Sequence, residues 1–91
     1  MFKVDVKTQV NNKFKELFGK TLKPVVTGQR LSPHDCVAAG IKGGAYDGMY
    51  VTEVTLDGQL ICTAQHRDWR KAYKLLKLEV ENRFAEGKPL P

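Results

Sequence analysis

The 91-residue chain is poor in the residues that most often carry chemistry: two cysteines, two histidines and one tryptophan. It also has no uninterrupted apolar run near the ~20 residues of a membrane helix. With no C-x-x-C knuckle, zinc is left four donors, His34-x-Cys36 and Cys62-x-x-x-His66. On a strand Cys62 and His66 share a face but stand ~13 Å apart at ~3.3 Å per residue. On a helix His34 and Cys36 point in different directions, so neither a metal nor any other cofactor is expected. Both cysteines read as small buried apolar side chains, reduced in a cytoplasmic setting. The cytoplasm is the expected address, because Met1-Phe2-Lys3-Val4-Asp5 lacks the ~7–15-residue apolar core of a secretory signal. There is no internal repeat and no low-complexity segment.

Catalytic motifs are equally scarce. His66-Arg67-Asp68 spells the kinase catalytic-loop triplet, but the chain has no glycine-rich nucleotide loop and no D-F-G. Cys36 falls in the first turn of a predicted helix, where a thiol can be activated, yet the sequence brings no histidine to it as a base. The expectation is a non-enzymatic protein with no catalytic residues.

Acidic residues are short as well, ten against fifteen Lys and Arg, for a formal net charge of +5. The imbalance is uneven. Residues 1–30 hold seven basic and two acidic side chains, residues 31–66 one and four, and residues 67–91 seven and four. Basic ends around an acidic middle suit a polyanionic partner.

What is present is local structure with clear punctuation. Phe2, Val4 and Val6 alternate with polar residues, predicting a short strand. From Thr8 the period becomes helical, with Val10, Phe14, Leu17 and Phe18 on one face and Gly19 as a stop. Val25 and Val26 predict a short strand, followed by Gly28-Gln29-Arg30 as a loop. Ser32-Pro33-His34-Asp35 is a helix start, with a capping hydroxyl, a proline at the first position and an acid facing the positive end. Gly40 ends that helix, with Ile41 placed for a Schellman contact. Gly43-Gly44 and Asp47-Gly48 predict a flexible entry to a hairpin.

That hairpin joins Met49–Leu56 to Gln59–His66 through Asp57-Gly58, a pair suited to a turn with positive φ. Its pattern is ambiguous. In simple register Tyr50, Val54, Leu56 and Ile61 share one face and Met49, Val51, Leu60, Cys62 and Ala64 the other. Either helices cover both faces or a bulge shifts the register. Asp68 then caps a long helix whose apolar arc is Trp69, Ala72, Tyr73, Leu76, Val80 and Phe84. The expected fold is a small single α+β domain over residues 1–86, a sheet packed against a long C-terminal helix plus an N-terminal helix, with residues 87–91 as a flexible tail.

Two stretches resemble parts of known families. Gly40-Ile41-Lys42-Gly43 looks like the backbone-clamping loop of K-homology domains, but those domains set the loop between two helices, and here a strand follows. Strand, Asp-Gly turn, strand and basic helix start, over Tyr50 to Leu76, resemble the double-stranded-RNA-binding domain in layout. Of that family's Lys-Lys-x-Ala-Lys helix opening, Trp69-Arg70-Lys71-Ala72-Tyr73 keeps part, and Thr21 to Gly48 has no counterpart.

The functional reading centres on the basic stripe. Arg70, Lys74 and Lys77 lie on a flank of the last helix, with Arg67 and Lys71 close by and Lys42 on the glycine-rich loop. Cations at a helix N-terminus oppose the macrodipole unless an anion binds there. These six are the candidate anion-binding residues, for nucleic acid or an acidic protein surface, with no membrane. The alternative is a small interaction or inhibitor protein, of the kind phages and mobile elements encode, docking on a larger host protein complex. Leu78, pointing away from the core arc, marks a surface for such a partner or for a second copy in a homodimer.

Overall fold

The computed structural model describes residues 5–91. Its elements are α1 (Val6–Phe18), β1 (Val25–Leu31), α2 (Pro33–Ala38), β2 (Met49–Leu56), β3 (Gln59–His66) and α3 (Trp69–Ala85). The strands form one antiparallel sheet in the order β1-β2-β3, and α3 packs on it with α1 alongside, an α+β domain.

The expected strand at the N-terminus is corrected at Val6, which already belongs to α1; Phe2 and Val4 lie outside the described residues. Helix begins there because Asp5 caps it, its Oδ1 accepting the Thr8 N–H at 2.7 Å. Gly28-Gln29-Arg30, read as a loop, is part of β1, paired with Thr52, Val51 and Tyr50. Local propensity argues against strand at a glycine, but packing requires one: a Cβ at position 28 would overlap the Tyr73 hydroxyl and the Tyr50 ring. Those two tyrosine rings lie tilted against each other, with centroids 5.8 Å apart and their hydroxyls 3.5 Å apart.

The hairpin ambiguity resolves as a bulge. Asp57 and Gly58 turn with φ +51° and +81°. Val54 then pairs with Cys62 but Thr55 with Leu60, which leaves Ile61 as an extra residue on β3. Consecutive Ile61 and Cys62 are therefore both buried, and Leu60 faces solvent. Thr52, the one buried polar residue among those described, has its Oγ1 2.9 Å from the Ala64 carbonyl and 3.3 Å from that of Ala72, tying β2 to β3 and to α3.

The core joins Val10 and Phe14 of α1, Val26, Val54, Leu56, Ile61 and Cys62 of the sheet, and Tyr73, Leu76 and Val80 of α3. Burying each large aliphatic or aromatic side chain contributes about 1.5–3 kcal/mol. The ends of the predicted arc on α3 are corrected: Trp69 is 44% exposed and Phe84 48%. At the C-terminus the residues expected to form a tail have partners, Leu90 against the core and the Pro89 carbonyl on Arg83 Nη2 at 2.7 Å.

The connection over residues 32–48 is built as its punctuation predicts. Ser32 Oγ accepts the Asp35 N–H at 3.2 Å. The N–H groups of Gly40 and Ile41 close on Val37 and Cys36 carbonyls at 3.1 and 2.9 Å, with Gly40 at φ +73°, a Schellman end. Past that point the loop is packed where flexibility was expected: Gly44 rests against Cys36, and the Gly48 N–H donates to the Gly44 carbonyl at 2.9 Å.

Candidate functional site

Antiparallel pairing sets Leu31 beside Met49 and Tyr50 beside His66. The 32–48 connection and the start of α3 therefore meet at one end of the sheet. Arg67, between β3 and α3, joins them: its Nη2 donates to the Gly43 carbonyl at 3.0 Å and its Nη1 lies 3.3 Å from Asp47 Oδ2. The Arg67 carbonyl in turn accepts from Arg30 Nη2 at 2.7 Å. Of the six candidate residues, Arg67 is thus committed to holding the loop, and Lys42 is exposed on that loop. Arg30 was missed because Gly28-Gln29-Arg30 reads as loop; no local signal places its side chain beside residue 67.

The start of α3 is capped from both sides. Asp68 Oδ1 accepts the Arg70 N–H at 2.8 Å, and the Asp68 N–H donates to His66 Nδ1 at 2.9 Å. The bond from the Arg70 N–H holds the Asp68 carboxyl below its ordinary value. One first-turn donor, the Arg70 N–H, is therefore spent. Arg70 leans over Trp69, its guanidinium carbon 5.2 Å from the ring centroid. Tyr73 meets that ring edgewise at 6.4 Å; burial first, and then Tyr50, push its hydroxyl up to about 12.

Lys74 and Lys77 border a groove of about 350 Å³ between α1 and α3, shared with Val6, Val10 and Leu78. Lys71 is exposed. Among the described residues, the ion pairs are Lys13–Glu16, Lys88–Glu86, Arg67–Asp47 and a His34–Asp35 contact. None involves Lys42, Arg70, Lys71, Lys74 or Lys77. The acidic groups nearest the end are otherwise engaged, Asp47 with Arg67 and Asp68 with the helix start.

Cysteine and histidine are dispersed. Cys36 is buried where the loop packs, its Sγ 3.8 Å from the Leu31 carbonyl. Cys62 is buried in the main core, where desolvation pushes its thiol up. Among the described residues no three His, Cys, Asp or Glu side chains gather as a metal site would need, and no helix is long and apolar enough to cross a membrane. Comparison with protein-family models, with curated proteins and with solved structures finds no match to this chain.

Proposed function

We propose that this domain is a small non-catalytic binding module that takes a nucleic acid on the sheet end formed by the 40–48 loop and the first turns of α3. The observation behind the reading is the set of cations that form no ion pair among the described residues, Lys42, Arg70, Lys71, Lys74 and Lys77. Arg70, Lys74 and Lys77 lie along one flank of α3 over about 10 Å of helix, a track that suits successive phosphates. Arg67 acts by fixing the loop that carries Lys42, through the Gly43 carbonyl and Asp47. Binding of this kind releases counterions and weakens steeply with salt.

Anisotropy titrations with labelled single- and double-stranded RNA and DNA, at roughly 50 and 200 mM salt, test the reading. Binding at low salt that falls by orders of magnitude at high salt supports it. An absence of binding to every oligonucleotide at low salt removes it.

The second reading is a protein-interaction or inhibitor module. The groove between α1 and α3 favours it, with Leu78 exposed beside Val6 and Val10 and two cations, Lys74 and Lys77, against one acid, Glu81, on its lining. Such a site would take an acidic, partly apolar protein segment, and Leu78→Lys would weaken that contact while leaving nucleic-acid affinity equal or higher.

A further inference from the structure

We infer that the nucleic acid bound at this end is single-stranded, with unpaired bases stacking on Trp69 and Tyr46; the inference rests on the nucleic-acid reading above. Among the described residues Tyr46 is the most exposed large hydrophobic side chain, at 87%, and Trp69 is the chain's one tryptophan. The sequence pattern assigns Trp69 to the core arc. In the structure the chain enters α3 so that the ring stands at the rim, touched by Tyr73 on one side and by Arg70 on another.

Both aromatics belong to the basic end. Tyr46 lies between Gly43 and Asp47, the two points at which Arg67 grips the loop, and Arg67 is two residues from Trp69. Aromatic planes interleaved with unpaired cations match the two faces of an unpaired nucleotide. The ring takes the π-face of the base, and the cation takes the phosphate. In a duplex the base faces are already covered by their neighbours, so the same aromatics would have nothing to read. Arg70 adds a second flat surface, since a base stacks on a guanidinium plane as well as on an indole.

The single tryptophan makes the test direct, because its emission reports on the site alone. Oligo(dT) and oligo(U) of ~12 nucleotides are titrated beside a duplex of equal length and poly-L-glutamate. The expected result is at least a twofold quench of Trp69 emission by one or both single strands, with little change from duplex or polyglutamate. Trp69→Leu, followed by anisotropy, should cut the preference for single strand over duplex about tenfold, while Trp69→Phe, which keeps a ring, should restore most of it. Tyr46→Ala, on the exposed loop and without a packing role, should cut it by a smaller factor with an unchanged melt. Equal affinity for single strand and duplex, with unchanged emission and no effect of Trp69→Leu, overturns the stacking inference and leaves the nucleic-acid reading standing. Binding of polyglutamate as tight as that of oligonucleotides overturns it in favour of an acidic protein partner. Failure of every probe at low salt overturns both readings together.

Discussion

The two ends of α3 are built from similar residues put to opposite use. Each carries a half-exposed aromatic, Trp69 or Phe84, and an arginine in its terminal turn, Arg70 or Arg83. At the C-terminal end both side chains have protein partners, although the Arg83 Nε is buried without a hydrogen-bond acceptor. Arg83 donates to the Ile61 carbonyl at 3.4 Å and to the Pro89 carbonyl at 2.7 Å, and Phe84 meets Phe18 edge-on at 5.5 Å. Its charge also suits the negative end of the helix. At the N-terminal end the Arg70 side chain meets a ring, Lys71, Lys74 and Lys77 form no ion pair among the described residues, and Arg70 and Lys71, in the first turn, oppose the dipole. Residue type does not separate a structural cation from an available one. Its partners do.

That contrast can be broken by experiment, and the largest effect is expected on binding. Arg70→Glu with Lys71→Glu should lower oligonucleotide affinity on the order of a hundredfold at low salt and flatten the salt dependence by about two phosphates. The fold should hardly notice: acids suit that turn by roughly 0.3–1 kcal/mol each, against about 0.5–1 kcal/mol lost where Arg70 leaves Trp69. A thermal melt several degrees lower with binding intact would make the stripe structural.

Arg83→Ala should do the reverse. It leaves the part-buried Ile61 carbonyl without its donor, at a cost of about 1 kcal/mol read by urea unfolding, with oligonucleotide affinity changed by less than the loss of one remote charge. A stable Arg83→Ala variant that no longer binds would move the site to the other end of the helix.

A third, smaller effect concerns the caps. Asp68 and Asp5 are both held below their ordinary value of 3.8 by the backbone N–H groups they accept, from Arg70 and Thr8. Because the folded value is the lower, their contribution is fully present above the unfolded pKa and is lost as pH falls through the folded one. Melting temperature should therefore drop below about pH 4. In an Asp5→Asn, Asp68→Asn variant, where capping persists without titration, the drop should be shallower. Parallel pH profiles for the two proteins would assign the acid sensitivity elsewhere.

Much of this fold is legible in the sequence wherever the cause is local. Ser32, Pro33 and Asp35 start α2, Gly40 and Ile41 close it, and Asp57-Gly58 turns the hairpin, because each feature is decided within a few residues by hydrogen bonding or sign of φ. What sequence hides is decided by distant partners. Gly28 is a strand residue only because two tyrosines from β2 and α3 need the space above it. Ile61 is a bulge only because two competing apolar sets had to share one face. The candidate cations are visible in the sequence as a stripe, but the commitment of Arg67 to Gly43 and Asp47, and the exposure of Trp69, depend on how the loop and α3 dock.

The pairing of α1 with α3 carries a consequence in time rather than in energy. Val6 and Val10 share a groove with Tyr73 and Lys74, while Phe18 meets Phe84, so the two helices run the same way. Their positive ends face the same way as Arg70 and Lys71, so the two helix dipoles and these cations add into one positive patch at that end. A polyanion several Debye lengths away exerts no force on it, but inside about 10 Å at 0.1 M salt it applies a torque as well as a pull. With a polyanion as partner, as proposed above, encounters would begin already oriented, and added salt should slow association much more than it hastens release.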